Sequence, residues 1–190
     1  MSFNIATFRS QLQFDGARAS LFDITFPRLP IISGAGGDEI TFKARASSLP
    51  GDSVSSINVD YFGREIKVAG TRTLPDWSIT VINDEDFFIR NYMEQWMSSL
   101  NSHVSNLRSP LSARAGQYQT DATIRQYAKT GQIIKSYKMV GLFPTDVSAI
   151  DVDWSSGDTI EEYSITFAYQ WWESNTTDAT SAIVVGPPAP

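Results

Sequence analysis

The sequence predicts a mainly β domain with one flanking α-helix. Several segments alternate apolar and polar residues with period two, and one segment repeats its apolar residues at helical spacing. Glycines, prolines and short polar residues punctuate the intervals. At 190 residues the chain is long enough for one domain with its own core. It has 0 cysteines, which excludes a disulfide framework, a thiolate metal site and a thiol nucleophile, so folding in a reducing compartment is expected.

The first 20 residues read as an N-terminal arm. They hold no uninterrupted apolar stretch behind a basic start, and no segment of the chain approaches the roughly 20 apolar residues of a membrane span. Neither a signal peptide nor membrane insertion is expected. Leu21 to Phe26 reads as a half-buried strand, with Phe22, Ile24 and Phe26 on one side. The GAGG run at Gly34 to Gly37 is not followed by Lys-Ser/Thr and opens no helix, so it is a loop rather than a phosphate cradle. From Glu39 to Ala46, Ile40 and Phe42 alternate with Thr41 and Lys43 as in a second strand. A long hairpin is predicted over 51–70. Its arms, Val54 to Tyr61 and Arg64 to Val68, meet at Phe62-Gly63, where glycine suits the positive φ of a tight turn.

Trp77 to Asn83 is the next strand. Asn83-Asp84-Glu85-Asp86 then offers an N-cap and acids that complement a helix dipole, placing a helix over about 85–100. Phe88, Tyr92, Trp96 and Leu100 recur at i+4, as do Ile89, Met93 and Met97, so this helix should lay an apolar stripe on a sheet. Asn101 to Thr120 is polar and carries Arg108 and Arg114 with no acid, which reads as a basic surface loop. Two strands follow, Asp121 to Ala128 and Ile133 to Phe143, linked across Thr130-Gly131. Ile160 to Trp171 is the clearest strand, with Tyr163, Ile165, Phe167, Tyr169 and Trp171 on its core face. Residues 174–190 are rich in Ser, Thr and Pro and read as a C-terminal extension in which Ile183 to Val185 is the part expected to dock.

The formal net charge is -6, which argues against a protein built to grip phosphates through Lys and Arg. All 15 bases lie at or before Lys138, whereas Met139 to Pro190 carries 8 acids and no base. Such asymmetry can complement itself where identical subunits meet through different surfaces, or can be an acidic face turned to water. Catalytic groups are wanting. His103, the only histidine, lies in the polar loop with no sign of a triad, and Glu161 and Glu162 point to opposite faces of one strand. Asp151, Asp153, Ser155 and Glu162 fall at the first, third, fifth and twelfth positions of a calcium loop, but Gly157 comes one residue late and the flanks are strand-like. An acidic turn is the simpler reading. No cofactor and no enzymatic role are expected; a structural or binding role is.

FKARASSLPG (Phe42 to Gly51), REIKVAGTRTLPDWSITVINDED (Arg64 to Asp86), ATIRQYAKTG (Ala122 to Gly131), MVGLFPTDVSAIDVDW (Met139 to Trp154) and EEYSITFAYQWWE (Glu161 to Glu173) keep one order and spacing from about Leu21 to Glu173. In these segments the chain resembles the tail tube proteins of T-even-type, contractile-tailed bacteriophages. The resemblance is weaker before Leu21 and across Asn101 to Thr120, and the extension after Glu173 is additional to it.

The resemblance implies a β-sandwich with one flanking helix, over residues 1–173, whose subunits join into the continuous inner β-barrel of a hexameric ring. Stacked rings would make the tail tube, a conduit through which phage DNA passes, in a virion assembled in the host cytoplasm. Implied partners are further copies of the chain, the tail sheath protein, a baseplate hub or tube initiator, the tape measure protein and the tail terminator. Joining each sheet to its neighbour's removes exposed strand edges by closure. An acidic lumen would let DNA pass without sticking. Val54 to Tyr61 and Asp121 to Ala128 are the segments whose short polar side chains suit that wall. The expected assembly residues are Val54, Ile57, Val59, Tyr61, Phe62, Arg64 and Ile66 of the hairpin. Arg108 and Arg114 would meet Asp151 and Asp153 across subunits or at the sheath. The alternatives are the inner tube of a phage-derived contractile injection machine, R-type bacteriocin or type VI-like, and a carbohydrate-binding β-sandwich using Trp77, Trp96, Trp154, Trp171 and Trp172.

Overall fold

The structure, a computed structural model, describes residues 16–30 and 38–177 together with Ile5 and Ser10. The loop at Gly34 to Gly37, most of the N-terminal arm and the docking segment Ile183 to Val185 lie outside the described residues.

Among the described residues nine strands carry the fold: β1 (Phe22–Thr25), β2 (Ala44–Ser47), β3 (Ser53–Tyr61), β4 (Arg64–Thr73), β5 (Trp77–Ile82), β6 (Thr120–Tyr127), β7 (Ile133–Val147), β8 (Glu162–Ala168) and β9 (Trp171–Ser174). β3 and β4 form a two-stranded sheet of their own. The other seven make one sheet in the order β1-β6-β7-β8-β5-β2, with β9 also on β7. Every pairing is antiparallel.

β7 organises this sheet because it changes partners along its length. Its first part runs between β6 and β9, and from Phe143 onward it pairs with β8. The register slips where the change is made, between Thr120 and Ala122 against β6 and between Pro144 and Asp146 against β8. Gly141 takes φ 69 there, and Pro144, which has no N–H, is tolerated because β7 has run past the start of β6. The two halves of the sheet meet in one core. Ile24, Ala122, Ile124 and Met139 enter it from one half, and Trp77, Ile79, Val81, Tyr163, Ile165 and Phe167 from the other.

Helix α2 (Phe88–Leu100) covers this core with Ile89, Tyr92, Met93 and Trp96, as its i+4 pattern requires. Phe167 is the centre of the packing: its ring lies 5.6 Å from Trp77, 6.0 Å from Phe26 and 6.5 Å from Trp96. The polar tips of the helix's aromatics are satisfied, Trp96 Nε1 donating to Tyr118 O at 2.9 Å and the Tyr92 hydroxyl donating to Pro30 O. Burial pushes the Tyr92 phenol well above its ordinary range. It does the same to Tyr163, pushed up to about 12 beneath the Arg90 guanidinium.

Four sequence expectations change. The segment expected as a strand from Glu39 begins as helix α1 (Asp38–Lys43), and only Ala44 onward is strand. Two alternating pairs are too short to separate the periods, and an acid at the start with Lys43 in the last turn suits a helix dipole. The main helix starts at Phe88 rather than near residue 85, because Phe87 takes φ 52 and breaks the run. Asp86 Oδ1, not Asn83, accepts the Phe88 N–H, at 3.0 Å. Asn101 to Thr120 is not simply a surface loop. It contains a 3-10 turn at Pro110–Ser112 and helix α3 (Ala115–Tyr118), with Ser112 and Thr120 buried, so the single helix of the sequence reading becomes three among the described residues. Finally, the last long strand breaks at Tyr169-Gln170 into β8 and β9, which leaves Trp171 half-exposed instead of in the core. β9 runs to Ser174, one residue past the boundary drawn after Glu173, and Thr177 bridges back to it.

Gly141 is the residue this topology can least do without. A Cβ there would meet Gln170 Cγ at 2.7 Å, and its φ is one that L side chains rarely adopt. Gly141→Ala should lower the unfolding free energy by about 1–3 kcal/mol, whereas Gly51→Ala, which meets nothing within 4 Å, should change it by less than about 0.5 kcal/mol. Urea midpoints of the two variants at constant m-value measure the difference.

Candidate functional site

The β3–β4 hairpin stands apart from the core. Every residue of β3 is exposed, as is every residue of β4 except Gly70. Phe62 and Gly63, at φ 45 and φ 81, give the double left-handed turn whose twist matches a two-residue hairpin. Phe62 therefore accepts strain that glycine or asparagine would avoid, and its ring, 92% exposed, packs edge-on against Tyr61 at 4.7 Å. At the base, the slip between Val54 and Ser56 forms a bulge that only Gly70 fits, since a Cβ there would lie 2.5 Å from Ser55 Oγ and 3.1 Å from Ser55 O. An Arg72–Asp52 ion pair and a 3.2 Å bond from Ser55 Oγ to Thr71 O brace the same end.

Register divides the hairpin into two unlike faces. Ile57 lies opposite Val68, Val59 opposite Ile66 and Tyr61 opposite Arg64, so one face is an apolar stripe closed by an arginine. The other pairs Ser56 with Ala69, Asn58 with Lys67 and Asp60 with Glu65. Asn58 Nδ2 donates to Glu65 Oε2 at 3.1 Å. Of the residues expected at an assembly surface, Ile57, Val59, Tyr61, Arg64 and Ile66 share one face and Phe62 caps its end. Val54 shares parity with Ser56 and Asn58 and belongs to the polar side. Val68 completes the stripe.

The charged candidates are less uniform. Arg108 is engaged within its own subunit, its guanidinium 5.3 Å above the Tyr118 ring and its Nε donating to Leu100 O at 3.4 Å, where it complements the end of α2. Arg114 is exposed at the start of α3, and its backbone N–H donates to Gln117 Oε1 at 3.0 Å. Asp151 and Asp153 line a cleft of about 510 Å³ together with Arg45, Glu161 and Glu162. The calcium-like set is not assembled there. Glu162 pairs with Arg45, and Asp153 Oδ1 accepts the Ser155 N–H at 2.9 Å, which holds its carboxyl below the usual range. Among the described residues no three acids or histidines are grouped to hold a metal ion. Glu161 accepts from Asn83 Nδ2 at 2.7 Å, and His103 lies in an exposed turn. The tryptophans do not form one sugar platform, because Trp77 and Trp96 are core and only Trp154 and Trp171 are exposed.

Sequence reasoning missed one feature. A second cleft, of about 720 Å³, lies where Arg18 passes the β6–β7 turn, lined by Tyr127, Ala128, Lys129, Ile133 and Ile134. The adjacent Ile133 and Ile134 at an exposed strand end were the available signal.

The profile of the family described as phage tail tube protein matches residues 7–175. The tail tube protein gp19 of Enterobacteria phage T4 is 32% identical over 160 residues, which cover 84% of this chain and 92% of that protein. The tail tube protein of Serratia phage KSP90 is 24% identical over 131 residues, covering 69% of this chain and 72% of that one. Among solved structures, a chain of the sheath-tube complex of the extracellular contractile injection system PVC, in its extended state, has a TM-score of 0.56 at 14% identity, covering 91% of this chain and 98% of its own. The tube terminating cap of the anti-feeding prophage gives a TM-score of 0.58 at 16% identity, covering 84% and 90%. At these identities the structural likeness speaks for the fold.

Because the apolar stripe touches no part of the core, it contributes little to the stability of the isolated chain. Replacing Ile57, Val59 and Ile66 together by Thr should move the unfolding free energy by no more than about 1 kcal/mol, read from urea denaturation of dilute protein, since exposed positions change it by about 0.5 kcal/mol or less each. A loss of several kcal/mol would show that the stripe is packed within the monomer.

Proposed function

Since the chain belongs to the phage tail tube protein family, as the tube protein of a contractile-tailed bacteriophage and a component of its virion, we propose that it assembles into hexameric rings through the β3–β4 hairpin. The observation that carries the reading is the hairpin's two-faced register: an apolar stripe with nothing to cover it, backed by a polar face. The stripe lies against the neighbouring subunit, which removes five half-exposed apolar side chains from water. The opposite face, with Ser56, Asn58, Asp60, Glu65 and Lys67, turns to the lumen, and successive hairpins close an inner β-barrel that leaves no free strand edge.

A wall of this composition suits the passage of DNA. It holds Asp60 and Glu65 against Lys67, and Arg72 at its base is paired with Asp52, so phosphates find no run of cations at which to stall. β6 suits it less well as a lining, since its solvent face carries Arg125 and is bordered by Lys138, each paired with a carboxylate at 3.3 and 3.1 Å. The role is mechanical rather than catalytic. Sheath, baseplate, tape measure and terminator proteins are the partners a tube of this kind requires, and the exposed Arg114 is available to one of them.

Negative-stain microscopy of the purified chain should show six-membered rings or tubes. Deleting Asp52 to Ala69 should leave a monomer with the melting transition of the parent and abolish those assemblies. Normal tubes from the deletion would remove the hairpin from the assembly surface.

A further inference from the structure

Two loops at opposite ends of α2 complement one another. Past the C-terminus of the helix, residues 101–109 form a loop fixed by its own backbone: the Ser102 N–H donates to Leu107 O at 3.1 Å, the Asn106 N–H, at φ 53, to Ser102 O at 3.1 Å, and the Ser109 N–H to Ser99 O at 2.9 Å. This loop turns Leu107 outward and leaves Val104 96% exposed. In the first turn of α2, Arg90 Nη1 donates to Ser148 O at 3.1 Å, which ties that end of the helix to the turn of residues 149–160. The tip of the turn is braced as well, Asp153 Oδ1 accepting the Ser155 N–H at 2.9 Å and Asp153 O the Ser156 N–H at 3.1 Å. It holds Trp154 fully in solvent, with Val152 and Ile160 also exposed. Large apolar side chains kept in water by a braced backbone have the form of a contact surface.

The two surfaces are opposite in charge. The segment from Asn101 to Thr120 carries Arg108 and Arg114 and no acid, whereas residues 149–160 carry Asp151, Asp153 and Asp158 and no base. The partners of Arg108 inside its subunit are the Tyr118 ring and the Leu100 carbonyl, both uncharged, so its charge is not neutralised. Ions bordering the two loops are paired among themselves, Asp121 with Lys138, Glu94 with Arg90 and Arg45 with Glu162. The loops stand apart by the 13 residues of α2, roughly 20 Å, and with Val104 and Trp154 both in solvent they do not meet within one chain. A contact between them joins unlike surfaces of two copies, which builds a ring or an open filament. Ring closure belongs to the hairpin in the reading above, on which this inference rests. We propose that the Val104–Leu107 loop of one subunit packs against the Trp154 turn of a subunit in the next ring, and that this contact stacks the rings in one direction. It uses neither face of the hairpin and does not call on Arg114. Arg108 and the three aspartates orient the approach, and the apolar side chains supply the affinity.

Because the sequence has no cysteine, a disulfide can report the contact with every apolar side chain of both loops in place. Ser105 and Gly157 are exposed positions in the two loops, and a Cβ at Gly157 meets nothing within 4 Å. A Ser105→Cys chain and a Gly157→Cys chain, mixed at high concentration and oxidised, should form a disulfide heterodimer in large excess over either homodimer. The double variant should give a ladder of multimers on a non-reducing gel. Statistical yields of the three dimers, or no cross-link, would overturn the proposal. Leu107→Ala and Trp154→Ala should each keep the parent's melting transition and raise the concentration needed for tube formation about tenfold, with separate rings persisting, and the pair together should raise it little further because both remove one contact. Multiplying effects would show that the two loops face different partners, such as another tail protein, and would overturn the contact, as would unchanged tubes. Failure of the parent chain to make any ring or tube would instead count against the function proposed above, and the disulfide would still decide the head-to-tail contact.

Discussion

The packing around Phe167 is the constraint from which the rest of the architecture follows. β8 delivers that ring to a point where Phe26, Trp77 and Trp96 converge, so the segment after β1, strand β5 and helix α2 are located by one side chain. Aromatic clusters of this kind dominate core energetics because each ring removes a large area from water and adds a geometric preference to it. Once Trp96 is placed, its indole N–H needs an acceptor, and Tyr118 O supplies it. The polar segment between α2 and β6 is thereby drawn onto the domain, and Ser99 and Ser112 close the contact with hydroxyls 2.9 Å apart. Burial at one site thus orders twenty residues that composition alone marks as loop.

A core closed in this way has no room for the hairpin. β5, β8 and α2 use the apolar faces available, and β3 and β4 find no strand of the main sheet to pair with. A lone two-stranded sheet is marginal in water, and this one also sets Asp60 directly opposite Glu65. It nevertheless keeps a strained two-residue turn and a glycine-dependent bulge, local devices that fix its shape before any partner arrives. The arrangement is costly for an isolated monomer and sensible for a subunit whose second core lies at an interface.

Most strands were legible because period-two alternation and turn residues are local signals. Trp77 to Ile82 and the Phe62-Gly63 turn stand where the sequence puts them. What escaped was set by contacts distant in sequence. The break at Tyr169-Gln170 arises because the last strand follows β7 through its bulge at Gly141, and nothing within Ile160 to Trp171 announces that register. The late start of α2 depends on Phe87 adopting a left-handed conformation that no propensity favours. In the hairpin, alternation exposed the stripe, but only the register shows that Val54 lies by parity on the polar face with Ser56 and Asn58. Arg108 read as a solvated charge because its ring partner, Tyr118, lies ten residues away through a turn that the sequence leaves open.

The one-sided distribution of charge along the sequence becomes a direction in space once β7 is in place. Lys129, Lys135 and Lys138 precede or occupy its first part, and Asp146, Asp151, Asp153 and Asp158 occupy or follow its last, with 15 residues of strand between them. Inside the subunit some of these charges are neutralised, Lys138 by Asp121 at 3.1 Å and Glu162 by Arg45. The turn beyond Val147 has no base of its own, so an acidic pole persists at that end of the strand. An acidic pole at one end of the strand disfavours the approach of two such ends, since like poles repel before apolar surfaces can touch. Within a Debye length of roughly 8 Å at physiological salt this bias acts only at close range, which selects orientation without adhesion at a distance. A tube has a related need, since its subunits must all face one way.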